Sequence, residues 1–481
     1  MRMEPGMEID GFRLEACVHD GGMGVIWRVG GPPAGFPLMM KLPRLGAGQP
    51  TEGVVGFETE AMLLAAIRSP HVPRFVAAGD LSKTPYLVTE WIDGENLEQV
   101  VQRAPRPADE VARIGAAVAD ALESLHRQDV VHLDVKPGNV LMRPDGRAVL
   151  IDFGLSRHAR LPDLMAEEMR KAVGTAEYIS PEQVLGVRGD PRSDLFALGV
   201  MMYELATGEL PFGSPQSVSG LRDRLWLDPR PPRAIARDLP PWLQEVILRC
   251  IEARPDQRYP SAAQLAFDLR HPDRVTLTAR ADKTKRLGVL AHLKRWLRAA
   301  GREAEIVPPP AEQAAAAPIV VAAVDTAHLD DDLQRALQAA VGRVIAHSSN
   351  ARLACLAVLR DAPLIDGAKA GETASGMHLD HLVRLRHWAE PMQLPPERLT
   401  AHVLEGSDPA KVILEYARAN NASLIVIGAA NYSERMIGRS ITTQVTEEAP
   451  CSVYVVRASV PVLAEGAAGG PQDEAPAALP A

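Results

Sequence analysis

Two short stretches of this 481-residue sequence hold residue types whose spacing could do chemistry. VVHLDVKPGNVLM carries Asp134, Lys136 and Asn139, and VLIDFGLS carries Asp152. Asp134 would accept a hydrogen bond from a hydroxyl and orient it as a nucleophile. Lys136, on the same short loop, would neutralise a transferring anionic group. Asn139 and Asp152 offer the hard oxygen ligands that a divalent cation such as Mg²⁺ takes. Together these are the parts of phosphoryl transfer, which needs positioning and charge stabilisation more than covalent catalysis. A polar turn after a buried strand does not account for D-x-K-x-x-N and D-F-G separated by an apolar, strand-like run.

Upstream, Gly21, Gly22 and Gly24 in VHDGGMGVIW would let a hairpin backbone approach phosphates with no Cβ in the way. A glycine cluster alone more often marks a plain turn. Lys41 in LMMK, on the next strand-like run, would pair with the α- and β-phosphates. Glu60 lies in the helical pattern FETEAMLLAAI, whose Leu63, Leu64 and Ile67 form the apolar side, and it would orient Lys41. A lone Lys or Glu is a surface charge by default; their order along the chain ties them to the downstream motifs.

In these motifs the sequence resembles the eukaryotic-like protein kinase family over about residues 11–270. The resemblance implies an α+β two-lobed protein kinase fold. It also implies ATP with Mg²⁺ (Mn²⁺ as the alternative) and transfer to Ser or Thr of proteins, the chain itself included. YLVTEWIDGENL is similar to the hinge that binds adenine through its backbone, with Thr89 as gatekeeper and Glu90 and Ile92 as contacts. Val18 and Ile26, flanking the glycines, join the implied nucleotide site. VGTAEYISPEQ resembles the end of an activation segment, and Asp194 and Arg258 match a structural acid and the arginine that pairs with Glu182. Lys136-Pro137 and Gly174-Thr175 are the serine/threonine version, and the GGMG wording looks bacterial. The competing readings are a pseudokinase scaffold acting through the C-terminal region and a small-molecule kinase.

Two positions depart from that family. His19 stands where the first glycine of the phosphate loop belongs, and Leu133 stands where an arginine normally meets a phosphorylated activation loop. The stretch HARLPDLMAEEMRKAV carries no hydroxyl, with Ser156, Thr175 and Tyr178 at its flanks. Both features lead to the expectation of activity without activation-loop phosphorylation.

The elements that must position these residues follow from periodicity. Short β-rich runs and one helix fill residues 11–90, then VARIGAAVADALESLH and SDLFALGVMMYELATG show helical spacing. After the catalytic unit (11–272) come a basic amphipathic helix and a Pro/Ala linker (273–317). In the helix, spanning about 283–302, Leu290, Leu293 and Leu297 share one face. It would pack on the kinase lobe, or touch an anionic membrane surface or a partner's acidic patch. Residues 318–458 alternate strands (PIVVAAVD, ARLACLAVL, LTAHVLEG, SLIVIGAA, CSVYVVR) with helices, the pattern of an α/β open parallel sheet. This unit resembles the universal stress protein family, through the strand ending at Asp325, LIVIGA and the closing APCSVYVVR. Its phosphate loop is degenerate: GAANYSERMIGRS keeps Gly428 but has Asn431 and Arg439 where glycines belong. A protein-interaction role, or dimerisation through CSVYVVR, is therefore preferred to ATP binding. The tail (459–481) reads as disordered.

A net charge of −9 gives no reason to expect a nucleic-acid partner. The four cysteines lie far apart with no metal-ligand spacing, which suits a reducing cytoplasm. No run approaches the roughly 20 apolar residues of a membrane span, and the first residues lack a signal peptide's apolar core.

Overall fold

The structure, a computed structural model, describes residues 3–286, 296–297 and 318–457, apart from short stretches at 22–23, 33, 45–50, 81–83, 169–173, 216, 328–330, 349, 360–369, 396–397 and 430–439. The linker, the tail, most of the basic helix and the degenerate loop of the second domain lie outside the described residues. Trp296 and Leu297 of that helix are described and exposed.

The small lobe is an antiparallel sheet whose main strands are β1 (Phe12–Gly21), β2 (Gly24–Gly30), β3 (Leu38–Pro43), β4 (Phe75–Ala78) and β5 (Leu87–Glu90), in spatial order β1-β2-β3-β5-β4. Helix α1 (Thr51–Ala66) starts six residues before the apolar pattern that announced it. Residues from the inward faces of β1, β2, β3 and β5, among them Leu14, Trp27, Val29, Met40 and Val88, form one apolar layer.

The large lobe is built on α2 (Ala108–His126) and, beyond strands β6 (Val140–Met142) and β7 (Ala148–Leu150) and the short α3 (Leu164–Glu168), on α4 (Arg192–Thr207), α5 (Pro241–Cys250) and α6 (Ala262–Arg270). Helix α4 is buried on all sides, as its near-continuous apolar run requires. Gly115 lets α2 approach it closely, since a Cβ there would lie 2.5 Å from the Met202 sulfur. The helix ends at Gly208, whose φ of 74° makes the left-handed cap.

The C-terminal unit is a five-stranded, fully parallel sheet: β8 (Ile319–Ala323), β9 (Arg352–Leu359), β10 (Leu399–Glu405), β11 (Leu424–Gly428) and β12 (Ser452–Val456), in order β10-β9-β8-β11-β12. Alternate residues go to opposite faces. Val320, Ala322, Leu353 and Cys355 pack with α7 (Asp331–Ala346) and α8 (Ala370–Ala389). Val321, Ala323, Ala354 and Leu356 pack with α9 (Pro409–Ala419) and α10 (Ile441–Glu448). That split explains why the three inner strands β8, β9 and β11 read as nearly continuous apolar runs.

A buried ion pair ties the end of the activation segment to the large lobe. Arg258 donates to Glu182 through both terminal guanidinium nitrogens, at 2.6 and 2.8 Å, and Ser193 donates to the same carboxylate at 2.7 Å. Arg258→Met leaves Glu182 buried without its cation, and we expect a stability loss of about 3–5 kcal/mol in denaturant unfolding. A loss below about 1 kcal/mol would show that Glu182 is otherwise satisfied.

Candidate active site

Strand alternation delivers Lys41 to the cleft between the lobes. Along β3, Leu38, Met40 and Leu42 point into the small-lobe core, and Lys41 points the other way. Glu60 sits on the buried stripe of α1, one turn after Phe57 and one turn before Leu64. Charges in such a place must pair. Lys41 Nζ lies 2.6 Å from Glu60 Oε2 and 3.6 Å from Asp152 Oδ1. Burial pulls the Lys41 ammonium down, but Glu60 and Asp152 more than offset it and raise it above its usual value. At Asp152 burial pushes the carboxyl up, and Lys41, Lys136 and His132 outweigh that and hold it below its usual range. Asp152 has φ of 65°, a left-handed conformation that a non-glycine adopts only where its surroundings enforce it. Next to it Phe153 is fully buried, its ring centroid 5.0 Å from that of His132.

The Asp134 carboxylate is saturated with donors. Oδ1 accepts from the Thr175 backbone N–H at 3.0 Å and from its hydroxyl at 2.8 Å. Oδ2 accepts from Asn139 Nδ2 at 2.9 Å and lies 2.8 Å from Lys136 Nζ. Lys136 closes the ring by donating to Thr175 Oγ1 at 2.8 Å. Asn139 Nδ2 also donates to the Asp134 carbonyl at 2.9 Å, so both amide hydrogens are used and its Oδ1 is left as a ligand oxygen. The Ile151 N–H donates to the Asn139 carbonyl at 3.0 Å, which sets the strand leading into Asp152 beside Asn139. An amide oxygen and an ionised carboxylate are donors that suit a divalent cation.

Beneath this loop, Asp194 of α4 accepts from the backbone N–H groups of His132 and Leu133 at 2.9 and 2.8 Å, and lies 2.9 Å from His126 Nε2. Leu133 is buried with φ of 64°, and its carbonyl accepts from Gln183 Nε2 at 2.8 Å. The flanking hydroxyls of the activation segment are occupied too. Ser156 donates to the His132 carbonyl, Thr175 belongs to the Asp134 ring and Tyr178 donates to Glu204.

At the hinge, Thr89 is buried, and the Glu90 side chain accepts from Arg74 at 2.9 Å and Arg143 at 2.7 Å. Burial pushes the Glu90 carboxyl up, and the two guanidiniums hold it below its usual range. The Ile92 backbone N–H makes no hydrogen bond among the described residues. Val18 lies where the register of β1 against β2 slips, between Cys17 and His19, and is 47% exposed. Ile26 sits directly across from Lys41. Gly24, with φ of 152°, brings β2 close to β3, where a Cβ would lie 2.5 Å from the Leu42 carbonyl. The exposed His19 ring folds over Gly21, leaving no room there for a Cβ. Gly22 lies outside the described residues.

The structure therefore pairs Lys41 with Glu60 at one wall of the cleft and gathers Asp134, Lys136, Asn139 and Asp152 at the other, with Asp152 within 3.6 Å of Lys41. Sequence reasoning did not find the clamp of Arg74 and Arg143 on Glu90, or Gln183 under Leu133. The Ser180-x-x-Gln183 capping box was a local signal for the second; the first left none, because its members are far apart in sequence. Thr175→Val keeps the backbone donor but breaks the ring around Asp134. We expect kcat to fall on the order of 10- to 100-fold with KM for ATP within about twofold, and Thr175→Ser to retain most activity. A valine variant with wild-type kcat would remove Thr175 from the positioning of Asp134.

Residues 49–268 match the protein kinase domain family, and residues 318–457 match the universal stress protein family. The first region is 35% identical over 215 residues to serine/threonine-protein kinase PksC of Streptomyces coelicolor, covering 43% of this chain and 39% of that one. It is 32% identical over 248 residues to serine/threonine-protein kinase PknB of Mycolicibacterium smegmatis, covering 48% and 39%. Against serine/threonine-protein kinase PknL of Mycobacterium tuberculosis it is 31% identical over 259 residues, covering 54% and 64%. The chain thus spans less than two thirds of the length of each of these relatives. With the two-lobed fold and the five-stranded parallel sheet in place, the chain joins a protein kinase domain, similar to those of bacterial serine/threonine-protein kinases, to a universal stress protein family domain.

Proposed function

We propose that this chain is an ATP-dependent serine/threonine protein kinase acting on protein hydroxyls, its own included, with a catalytic unit over 11–272 and a C-terminal unit over 318–458 that senses or recruits. The observation that carries this reading is the ring of Lys136, Asn139 and Thr175 around the Asp134 carboxylate, facing the Lys41–Glu60 pair, with Asp152 between them. Bound ATP supplies the transferable phosphoryl group, with Mg²⁺ (Mn²⁺ as the alternative) neutralising its charge. Asp134 receives the hydrogen bond of an incoming Ser or Thr hydroxyl, which replaces one of its present donors. Lys136 adds positive charge beside it. Asn139 Oδ1 and the Asp152 carboxylate would hold the cation. Lys41, oriented by Glu60, would hold phosphate oxygens, and Gly21, Gly22 and Gly24 would admit them under the β1–β2 turn. The Glu90 carbonyl and the Ile92 N–H would take the adenine edge, with Val18 and Ile26 covering its faces. The exposed Val18 and the unused Ile92 donor support that assignment.

For the C-terminal unit we favour pairing of two copies along β12, which is an edge strand with Tyr454 half exposed. A cytoplasmic site is supported by the four free cysteines. Separately, no helix among the described residues is long and apolar enough to cross a membrane. The 283–302 helix remains a candidate contact for an anionic membrane surface.

Labelled phosphate from ATP should appear on the chain and on a generic basic protein. Asp134→Asn and Lys41→Ala should each lose on the order of a hundredfold or more. Equal incorporation by wild type and variants would leave a scaffold as the better reading. Phosphatase treatment should not lower the rate, because no described activation-segment hydroxyl is free and Leu133 offers no cation to a phosphate; an activating phosphate on that segment would overturn this.

A further inference from the structure

The activation-segment helix α3 is five residues long, too short to hold itself together in water. One side of it packs on α1: Leu164 and Met165 are buried against Val55, with Met62 beside them. The other side enters the C-terminal unit. Glu167 Oε1 lies 2.7 Å from Arg352 Nη2, and Oε2 lies 2.8 Å from His402 Nε2 and accepts from the Tyr416 hydroxyl at 2.7 Å. The side chains of Glu167, Arg352 and His402 are 7%, 11% and 0% exposed. Burial pushes the Glu167 carboxyl up, but His402 and Arg352 outweigh it and hold it at about 2. The three partners come from the start of β9, from edge strand β10 and from α9, so this cage exists only when the C-terminal unit is folded and docked.

A second contact reaches the same machinery. Arg386 of α8 donates to Glu58 of α1, whose side chain is 7% exposed and lies two residues from Glu60. The C-terminal unit therefore touches both elements whose placement sets the cleft: the activation segment and the helix that carries Glu60. It touches them while the Lys41–Glu60 pair and the Asp134 ring are closed, so docking goes with the assembled cleft.

We propose that the C-terminal unit serves as a built-in clamp that orders the activation segment in place of a phosphate, with Glu167 and Glu58 as positioning residues. The proposal rests on the kinase reading above and names the regulation of that site. Leu133 cannot draw a phosphorylated loop inward, and Glu167 supplies a permanent negative charge that is met from the other side by Arg352 and His402. By reciprocity, a ligand of the C-terminal unit that favours release lowers activity, and closing the cleft on nucleotide tightens docking.

The test uses the full chain and two independent pairs. Glu167→Gln and Arg352→Met address the cage. Glu58→Arg, Arg386→Glu and the combined charge swap address the second contact and remain informative if a cage variant fails to fold. Amide hydrogen exchange over 155–168 and 53–66 is read beside steady-state kinetics. We expect faster exchange in both segments, with kcat down at least about tenfold and KM for ATP within about twofold. The swapped pair should recover most of the loss. Unchanged exchange overturns the clamp whatever the activity, and faster exchange with wild-type kcat overturns the positioning role. If wild type itself transfers no phosphate, the kinase reading fails, while the exchange measurement still decides whether the clamp holds the segment.

Discussion

The Lys41–Glu60 ion pair is the contact on which the rest of the cleft depends, because Glu60 is buried and would be left as an unpaired buried charge without the partly exposed Lys41. It bridges β3 and α1, so its length reports where α1 stands relative to the sheet. Helix α1 is in turn held from several sides. Its Val54, Phe57, Leu63 and Leu64 share the main apolar cluster. Val55 packs with the activation segment, and Glu58 meets Arg386 of the C-terminal unit. A shift of α1 would loosen all of these together, and such packed contacts switch between discrete arrangements more readily than they stretch.

Buried acids organise the opposite wall by the same rule. Asp134, Glu182 and Asp194 are each enclosed, and each is matched by cations or N–H donors from distant parts of the chain. Those bonds hold three loops in register: the catalytic loop, the end of the activation segment and the start of α4. Leu133 and Asp152 sit in left-handed backbone conformations within that net, a strain that such dense bonding can sustain. The hydroxyls near the activation segment are spent on internal hydrogen bonds, which agrees with the lack of a basic side chain at position 133.

The C-terminal unit uses its two sheet edges differently. Edge strand β10 brings His402 to the kinase domain, and edge strand β12 lies at the far side of the sheet. Alternation along β10 decides this, since a shift of one residue would turn His402 to the other face.

The sequence by itself carried the strand and helix periodicities of the two units and the motif residues that the structure brings to the cleft, and resemblance supplied the two domain types. Those features are local: period-2 and period-3.6 patterns, and short motifs such as D-x-K-x-x-N that one loop must present together. The pairing of Glu182 with Arg258 was legible only through family resemblance, being 76 residues apart. The clamp on Glu90, the folding of His19 over Gly21 and the cage around Glu167 were not legible at all. Glu167 reads as one more acid in a solvated AEE run, and its Tyr416 partner is 249 residues away. Only the tertiary structure decided that this acid is buried, because burial is set by what docks on a short helix and not by the helix's own sequence.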